Sequence, residues 1–403
     1  MSNNGINIEM YRDVAPHGVI DLVYRLAERL KGSTMLHVNS TKMGGGVAEM
    51  LIRLIPFFND LGIETRWEVV NGTPLFFKTT KGFHNALQGQ KQDITTAMYE
   101  EYLHVNETNA RQLSLESDVV IIHDPQPAAF INFKQNHSHW LWRCHIDISM
   151  PYRKVWHFLR DYVSRYDAAI FSLPDFAQKL PIPQYQIYPS IDPLSDKNRD
   201  LAKDEIDRVL ETYGIPREKP MILQVSRFDK FKDPLGVIEA YKMVKKHNEC
   251  CLVLAGGSAA DDPEGVEILA RVMEAASHDP DIYVLDLPPD ANLTINALQR
   301  AAAIVLQKST KEGFGLTVAE AMWKGKPVIG GAVGGITSQI IWGQTGYTIN
   351  SIEGCAYRIR HLLNNQQHSL EMGKRAREYT RRNFLITRHL CDYLALMNVV
   401  RGS

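Results

Sequence analysis

The sequence predicts an α/β protein with two Rossmann-like domains, each a parallel sheet covered by helices. Three observations support this prediction. Short β-branched and apolar runs alternate with longer amphipathic segments, which is the pattern of β-α-β units. The alternation occurs twice, before and after the proline-rich segment 181–200. The chain has 403 residues, and a length of this order favours two domains of about 100–200 residues each.

The composition argues against several classes of protein. Apolar residues make up 44% and charged residues 23%, with a formal net charge of -1, as in ordinary globular proteins. No long basic run indicates nucleic-acid binding, and no apolar run reaches the length of a membrane span. The N-terminus lacks an apolar signal core, and the five cysteines form no C-x-x-C pair. We therefore expect a cytoplasmic protein with reduced, buried thiols.

The predicted first domain covers residues 1–190. Its sheet begins with the strand 34–39, and an amphipathic helix follows at 47–62, where apolar residues recur at helical spacing. Residues 155–166 form a second clear helical pattern. Further strands are predicted at 63–70, 118–124, 139–145 and 168–173.

The predicted second domain covers residues 201–384, after a linker at 181–200. Its strands are predicted at 220–226, 250–257, 281–287, 303–309 and 327–331. Its helices are predicted at 234–247, 263–278, 292–302 and 316–326. The tail is helical to its end, and the last helix, about 385–403, is apolar enough to pack back onto the first domain.

Ligands of open α/β sheets bind at the carboxyl ends of the strands. We therefore expect the site in a cleft where the strand ends of the two domains face each other, lined by the loops that follow strands. The first such loop contains Gly44, Gly45 and Gly46. Its backbone amides can approach an anion at the start of the next helix. It does not match G-x-G-x-x-G, and a tight turn is the alternative interpretation.

A second loop follows the first strand of the second domain. It contains Arg227 and Lys232, and Pro234 then begins a helix. Two cations in a loop that points into a cleft suit a pyrophosphate. A solvated charged loop remains the alternative.

A third loop and the helix after it contain two acids, one on each side of a glycine pair. Glu312 precedes Gly313 and Gly315, and Glu320 lies within the following helix. The helix dipole alone favours an acid near a helix N-terminus, but it does not explain the glycines. Phosphate oxygens could accept from the amides of Leu316 and Thr317, with Glu320 near a ribose and Glu312 facing a sugar.

A fourth group follows a strand of the first domain. Arg143, His145 and Asp147 alternate, so a strand extending through them would place all three on one face. The neighbouring segment His123-Asp124-Pro125 is interpreted as structural or as supporting the site.

At these residues the chain resembles the retaining GT-B glycosyltransferases that use nucleotide sugars. The resemblance rests on the order of the glycine loop, the two cations, the E-x7-E pair and the segment KPVIGGAVGG. More narrowly, RCHIDIS, HDPQP and LPPDANLTINALQRAA resemble trehalose synthases of the glycosyltransferring type, a family related to trehalose phosphorylases. In one departure, Thr337 and Gln339 stand where many relatives have an acid.

The resemblance implies a reversible reaction in which ADP- or UDP-glucose and free glucose give α,α-trehalose with retention. The first domain would bind the acceptor and the second the nucleotide sugar. The implied catalytic residues are Glu312, Arg227, Lys232 and His145. The implied donor-binding residues are Gly44, Gly45, Gly46, Leu316, Thr317 and Glu320. The implied acceptor-binding residues are Asp147 and Arg143.

The expected mechanism stabilises a departing phosphate, which needs positive charge rather than a proton donor. The sequence shows no clear second carboxylate that could act as a nucleophile. We therefore expect the acceptor hydroxyl to attack on the same face as the departing phosphate. The D-x-D match Asp279-Pro280-Asp281 is interpreted as a turn. We expect no protein-bound metal and no tightly bound cofactor, while Mg2+ paired with the nucleotide would stimulate activity.

The expected partners are small molecules, namely nucleotide sugar, glucose and trehalose, with no nucleic acid and no membrane. A homodimer is left open. The nearest alternative is a trehalose phosphorylase, or a related glycosyltransferase with another acceptor. An NAD dehydrogenase lacks support because the dinucleotide fingerprint is missing. A non-enzymatic sugar-binding protein would not need two cations in a post-strand loop.

Overall fold

The computed structural model describes residues 7–42, 46–257 and 263–402, with side chains from 265 in the last range. Contacts divide the chain into two compact units. The first comprises residues up to Pro189 together with the segment from Ile386, and the second comprises Ser190–Leu385. Both units have the predicted α/β architecture.

The first unit contains a six-stranded parallel sheet. Its strands are β1 (Thr34–Asn39), β2 (Glu64–Val69), β3 (Val119–His123), β4 (His139–Cys144), β5 (Ala168–Phe171) and β6 (Gln184–Gln186). Their order is β2-β1-β3-β4-β5-β6. Every residue of β3 is buried, because helices cover both faces of a parallel sheet. β1 and β4 lie on either side of β3, so their carboxyl ends meet at one edge.

The second unit repeats this arrangement with a second six-stranded parallel sheet. Its strands are β7 (Met221–Val225), β8 (Cys251–Gly256), β9 (Ile282–Asp286), β10 (Ile304–Gln307), β11 (Val328–Gly331) and β12 (Gly346–Ile349). Their order is β12-β11-β10-β7-β8-β9. The neighbouring central strands β7 and β10 place the loops that follow them side by side.

Helices form the outer layers of both units. Those of the first unit are α1 (Val19–Glu28), α2 (Gly46–Asp60), α3 (Pro74–Leu87), α4 (Thr96–Gln112) and α5 (Arg153–Val163). Those of the second are α6 (Lys203–Thr212), α7 (Pro234–Lys245), α8 (Pro263–Ala276), α9 (Asn292–Ala301), α10 (Leu316–Trp323), α11 (Ile336–Gln339), α12 (Ile352–Asn364) and α13 (Gln366–Asn383). Short 3-10 helices lie at Ile8–Tyr11, Ala128–Phe133, Pro174–Phe176 and Lys230–Lys232.

The last helix, α14 (Ile386–Gly402), belongs to the first unit. It packs against α1, and the side-chain amide of Asn398 donates to the carbonyl of Leu26 at 3.0 Å. Its buried apolar residues include Leu390 and Leu394. The chain therefore returns to complete the helical cover of the first sheet.

Two predictions about element boundaries are wrong. The segment 181–200 is not only a linker, because Gln184–Gln186 forms the edge strand β6 beside β5. An edge strand with exposed side chains lacks the apolar pattern that identifies a strand. β4 ends at Cys144, so the predicted strand does not extend to His145. No helix in the described part of the chain is long and apolar enough to cross a membrane.

Candidate functional site

The loops after β7 and β10 are joined at the carboxyl edge of the second sheet. β7 and β10 are hydrogen-bonded neighbours, so the two loops leave the sheet together. The amide of Thr310 donates to the carbonyl of Phe231 at 2.8 Å. The side-chain amide of Gln224 donates to the carbonyl of Lys232 at 3.0 Å. The first bond holds the predicted cation loop against the predicted acid loop, and the second ties the cation loop to β7.

Lys232 and Glu312 form a direct ion pair in this pair of loops. The ammonium nitrogen of Lys232 lies 2.6 Å from Oε2 of Glu312. The same carboxylate oxygen accepts from Gln307 and from the hydroxyl of Ser309, both at 3.1 Å. The side chains of Lys232 and Glu312 are only 18% and 10% exposed. Two residues that the sequence singles out separately therefore adjoin each other in one unit.

A partly buried ion pair gives further support to the loop around Lys232. Lys308, the residue after β10, pairs with the carboxylate of Asp233. Asp233 also accepts from the amide of Gly236 at 3.1 Å, which caps α7, and its φ of 47° is left-handed. A left-handed aspartate is uncommon, and these bonds compensate for its cost. Lys308 was not among the predicted site residues, although it directly follows a buried strand.

Arg227 is an exposed cation of this site. Its side chain is 64% exposed, and its guanidinium lies 3.5 Å from a carboxylate oxygen of Asp229. An exposed surface pair of this kind contributes little stability. Arg227 can therefore move to a ligand at small cost, whereas Lys232 is held in place.

The helix α10 begins where the glycines release the backbone. Gly315 precedes it with a φ of 80°, a conformation that costs a residue with a side chain about 1–2 kcal/mol. Leu316 and Thr317 are partly exposed. Their amides lie in the first turn, where N–H groups have no acceptor within the helix. The turn therefore presents two backbone donors beside Glu312.

A second glycine pair, after β11, holds the same turn from behind. A Cβ at Gly334 would lie 1.9 Å from the carbonyl oxygen of Glu312. The amide of Gly335 donates to the carbonyl of Gly313 at 2.7 Å. Gln339 donates its side-chain amide to the carbonyl of Phe314 at 2.5 Å. Gln339 thus has a structural role here.

Glu320 lies buried in α10 next to two lysines. Its side chain is 4% exposed, and Oε1 is 3.5 Å from the ammonium of Lys197. Lys324 donates to Asn198 at 2.8 Å and to Gln299 at 2.7 Å. Burial lowers the pKa of Lys324 to about 7, while the charge of Glu320 opposes this shift. Neither lysine was among the predicted site residues.

The first unit contributes a chain of three histidines at the carboxyl edge of its sheet. Nδ1 of His37 lies 2.9 Å from Nε2 of His123. Nδ1 of His123 in turn lies 3.0 Å from Nε2 of His145. Burial lowers the pKa of His37 to about 3, and it lowers the pKa values of His123 and His145 well below the usual range. All three rings are therefore neutral near pH 7. His37 was not predicted, because a histidine inside a strand carries no local signal.

The backbone of His145 is fixed by Asp124. A carboxylate oxygen of Asp124 accepts from the amide of His145 at 2.7 Å. Asp124 has a φ of 64°, and non-glycine residues in this region cluster at functional sites. Burial raises the pKa of Asp124 to about 7, although the bond from His145 opposes the rise. Asp124 therefore supports the position of His145, in line with the interpretation of its segment.

The predicted alternation of Arg143, His145 and Asp147 on one strand face is wrong, because β4 ends at Cys144. Arg143 is wholly buried and donates to the carbonyl of Ile187 at 2.7 Å. This position indicates a structural role rather than the predicted acceptor contact. Asp147 is partly exposed and accepts from the amide of Ser149 at 2.9 Å.

The glycine loop of the first unit is only partly described. Gly46 is the first residue of α2, at the position where helix amides face outward. Gly44 and Gly45 lie outside the described residues.

Asp279 and Asp281 are paired with cations at the opposite end of the second sheet. Lys219 lies 2.8 Å from Asp281, and Lys245 lies 2.9 Å from Asp281 and also pairs with Asp279. The hydrogen bond from Lys219 lowers the pKa of Asp281. A pair of carboxylates already bound by two ammonium groups does not fit a metal site.

The sequence matches two family models. One is described as "Trehalose synthase, N-terminal domain" and matches residues 37–178. The other is described as "Glycosyl transferases group 1" and matches residues 205–379. Together they cover the central part of each unit.

Curated relatives and solved structures agree with these matches. The chain is 47% identical to a trehalose synthase of Pyrococcus horikoshii over 98% of this chain and 97% of that protein. It is 29% identical to a trehalose phosphorylase of Pleurotus pulmonarius, over 85% of this chain and 54% of that protein. A structure described as "Trehalose-6-phosphate from E. coli bound with UDP-2-fluoro glucose" superposes with a TM-score of 0.73 at 13% identity, covering 92% of this chain and 99% of that one. The predicted GT-B fold is confirmed by such neighbours.

Proposed function

Because the chain belongs to the trehalose synthase family of glycosyltransferases, we propose that it transfers glucose from a nucleoside diphosphate glucose to free glucose. The proposed donor is ADP- or UDP-glucose, and the product is α,α-trehalose with the donor's anomeric configuration retained. The reaction is reversible in this proposal, since the nucleotide can attack trehalose in the same site.

The ion pair of Lys232 with Glu312 is the observation that carries this proposal. A nucleotide sugar joins an anionic diphosphate to a neutral sugar through one bond. The pair offers a cation for the diphosphate and a carboxylate for the sugar hydroxyls, 2.6 Å apart. That adjacency suits a ligand whose charged and neutral parts meet at the bond to be broken.

The leaving diphosphate is stabilised by fixed positive charge in this proposal. Lys232, Arg227 and the amides of Leu316 and Thr317 supply donors where negative charge develops. One well-placed donor of this kind contributes about 2.7–4 kcal/mol to the transition state. The departing phosphate oxygen accepts the proton of the attacking hydroxyl, which enters on the same face and so retains the configuration.

The remaining contacts are assigned by residue. Glu320 accepts hydrogen bonds from the ribose diol. In the complex these hydroxyls would replace Lys197 as the partner of the buried carboxylate. His145 contacts hydroxyls of the donor glucose, and Asp147 contacts the acceptor. Gly44 to Gly46 cover the diphosphate.

A donor panel tests the function. The purified protein is incubated with glucose and ADP-, UDP- or GDP-glucose, and the products are analysed by chromatography and by NMR of the anomeric protons. We expect a non-reducing disaccharide with two α-linkages from ADP- or UDP-glucose. Release of glucose without a disaccharide from every donor would refute the proposal.

A trehalose phosphorylase is the second candidate, since the chain is similar to such enzymes over about half of their length. The two functions differ in the group that replaces glucose. Trehalose is supplied with either inorganic phosphate or ADP, and free glucose is measured. We expect release with ADP, while release with phosphate alone would establish the phosphorylase.

We propose that Mg2+ acts only as a counter-ion of the nucleotide. Among the described residues no group of three or more His, Cys, Asp or Glu side chains could hold a metal ion. EDTA should therefore reduce the rate without abolishing transfer and should leave the thermal unfolding temperature unchanged. Complete loss of activity that only Mg2+ restores would contradict this assignment.

A further inference from the structure

Three histidines of the first unit form a hydrogen-bonded chain from the core toward the surface. His37 is wholly buried, His123 is 2% exposed, and His145 is partly exposed. The rings of His123 and His145 are 10° from parallel with centroids 5.3 Å apart. With a nitrogen–nitrogen distance of 3.0 Å, the two rings meet edge to edge, as a hydrogen bond between imidazoles requires.

The tautomers of the three rings are coupled. A neutral imidazole carries hydrogen on one nitrogen and a lone pair on the other, and each link of the chain uses one hydrogen. Either all three rings carry hydrogen on Nδ1, or all three carry it on Nε2. In the first arrangement Nδ1 of His145 is a donor, and in the second it is an acceptor.

The buried end of the chain distinguishes these arrangements. Nε2 of His37 has no hydrogen-bond partner in the part of the chain that the structure describes. In folded proteins a buried N–H without an acceptor is rarer than an acceptor with an unused lone pair. The arrangement with hydrogen on every Nδ1 leaves only a lone pair unsatisfied at His37, and it is therefore favoured.

We propose that His123 is a positioning residue that donates from Nδ1 to Nε2 of His145 and thereby makes Nδ1 of His145 a hydrogen-bond donor to the substrate. Asp124 fixes the backbone of His145 at 2.7 Å, and His123 fixes its ring and its tautomer. The group recognised by His145 is then an oxygen that accepts a hydrogen bond. The proposal rests on the proposed contact between His145 and the donor glucose.

Nuclear magnetic resonance tests the tautomers directly. In protein labelled with 15N-histidine, long-range 1H–15N correlations show which nitrogen of a neutral ring carries hydrogen. The three signals are assigned from the single variants His37→Phe, His123→Phe and His145→Phe. We expect hydrogen on Nδ1 in all three rings of the native protein. Hydrogen on Nε2 of His145 would overturn the proposal, whatever the activity.

A matched pair of variants tests the effect on catalysis. His123→Phe and His37→Phe each replace a buried imidazole by a ring, but only the first removes the partner of His145. Loss of one hydrogen bond corresponds to a fall in kcat/KM of roughly 2- to 13-fold, and we expect about tenfold for His123→Phe. In His37→Phe the nitrogen left without a partner is Nε2 of His123, which carries only a lone pair. The fall in kcat/KM of this variant should therefore stay below about threefold.

Two further readouts separate positioning from packing. His123→Asn, whose amide can occupy the place of Nδ1, should recover most of the activity that His123→Phe loses. Equal losses in His37→Phe and His123→Phe at unchanged thermal stability would indicate packing alone and would overturn the proposal. If the native protein forms no disaccharide from any donor, the proposed function fails, but the tautomer of His145 is still decided by the NMR spectrum.

Discussion

Glu312 is held by three hydrogen-bond donors in the second unit. Its carboxylate accepts from Lys232, Gln307 and Ser309, which fixes its orientation before any ligand is bound. A carboxylate held in this way can accept from sugar hydroxyls with little further loss of side-chain entropy on binding.

Replacement of Glu312 by alanine should nearly abolish transfer. The change removes the proposed sugar contact and leaves the ammonium of Lys232 without its 2.6 Å partner. We expect kcat to fall by about a hundredfold or more, as for loss of a preorganised transition-state contact. Steady-state rates with ADP-glucose and glucose measure the effect. Glu378→Ala, which removes an exposed carboxylate paired with Arg381 and Arg382, is the control. Full activity of Glu312→Ala would refute the role.

Replacement of Arg227 by alanine should lower kcat while the fold stays intact. The side chain is 64% exposed, so its removal costs little stability, but it withdraws a cation from the proposed leaving group. We expect kcat to fall by about 100- to 1,000-fold. Arg217→Ala is the matched control, because Arg217 is also partly exposed and paired with carboxylates but follows α6 outside the proposed site. If both variants turn over like the native protein, Arg227 does not hold the diphosphate.

Among the structural elements, the loops after β10 and β11 are packed against each other and bonded together. Gly334 and Gly335 allow the second loop to contact the backbone of the first, and Gln339 of α11 adds a hydrogen bond to Phe314. The position of Glu312 therefore depends on a segment that follows it by more than twenty residues.

Gly334→Ala should damage both stability and activity. The residue has a φ of +48°, and a Cβ would lie 1.9 Å from the carbonyl oxygen of Glu312. Gly343→Ala separates the two effects, because Gly343 has a φ of +74° but open space around it. We expect a cost of about 1–2 kcal/mol for Gly343→Ala from the left-handed backbone. Gly334→Ala should cost about 1–3 kcal/mol more through the clash. Urea unfolding measures both, and equal costs would contradict the contact.

At the scale of the whole molecule, the two units differ in their buried titratable groups. The first unit encloses His37, His123, His145 and His389, and burial lowers the pKa of each. The unfolded chain binds protons at these positions below about pH 6.5, whereas the folded chain does not. Their contribution to stability is therefore present above pH 6.5 and is lost as the pH falls toward 3. Asp124 acts in the opposite direction, since its raised pKa of about 7 weakens folding as the pH rises from 4 to 7.

The first unit should consequently be sensitive to acid. Each histidine that stays neutral in the folded state lowers the free energy of unfolding by about 1.4 kcal/mol per pH unit below 6.5. The combined effect of four histidines on stability exceeds the opposite effect of Asp124. Urea titrations at pH 7.5 and pH 5, followed by tryptophan fluorescence, measure the loss. Four of the six tryptophans, at positions 67, 140, 142 and 156, belong to this unit. His37→Phe should lose less stability between the two pH values than the native protein, and an identical loss would contradict the shift at His37.

The amino-acid sequence was sufficient to predict the alternation of strands and helices and the positions of the loops after strands. These follow from local patterns, namely apolar periodicity within each element and glycine or proline at its ends. It also indicated Arg227, Lys232, Glu312 and Glu320, because polar residues directly after buried strands lie at the edge where such sheets bind ligands.

Which of these residues contact one another depends on the fold. Lys232 bonds to Glu312 because β10 lies beside β7, and His37, His123 and His145 form a chain because β3 lies between β1 and β4. Arg143, predicted to contact the acceptor, lies buried within β4, where its guanidinium donates to the carbonyl of Ile187. Strand order and the ends of strands depend on contacts between segments far apart in the chain, which local periodicity does not encode.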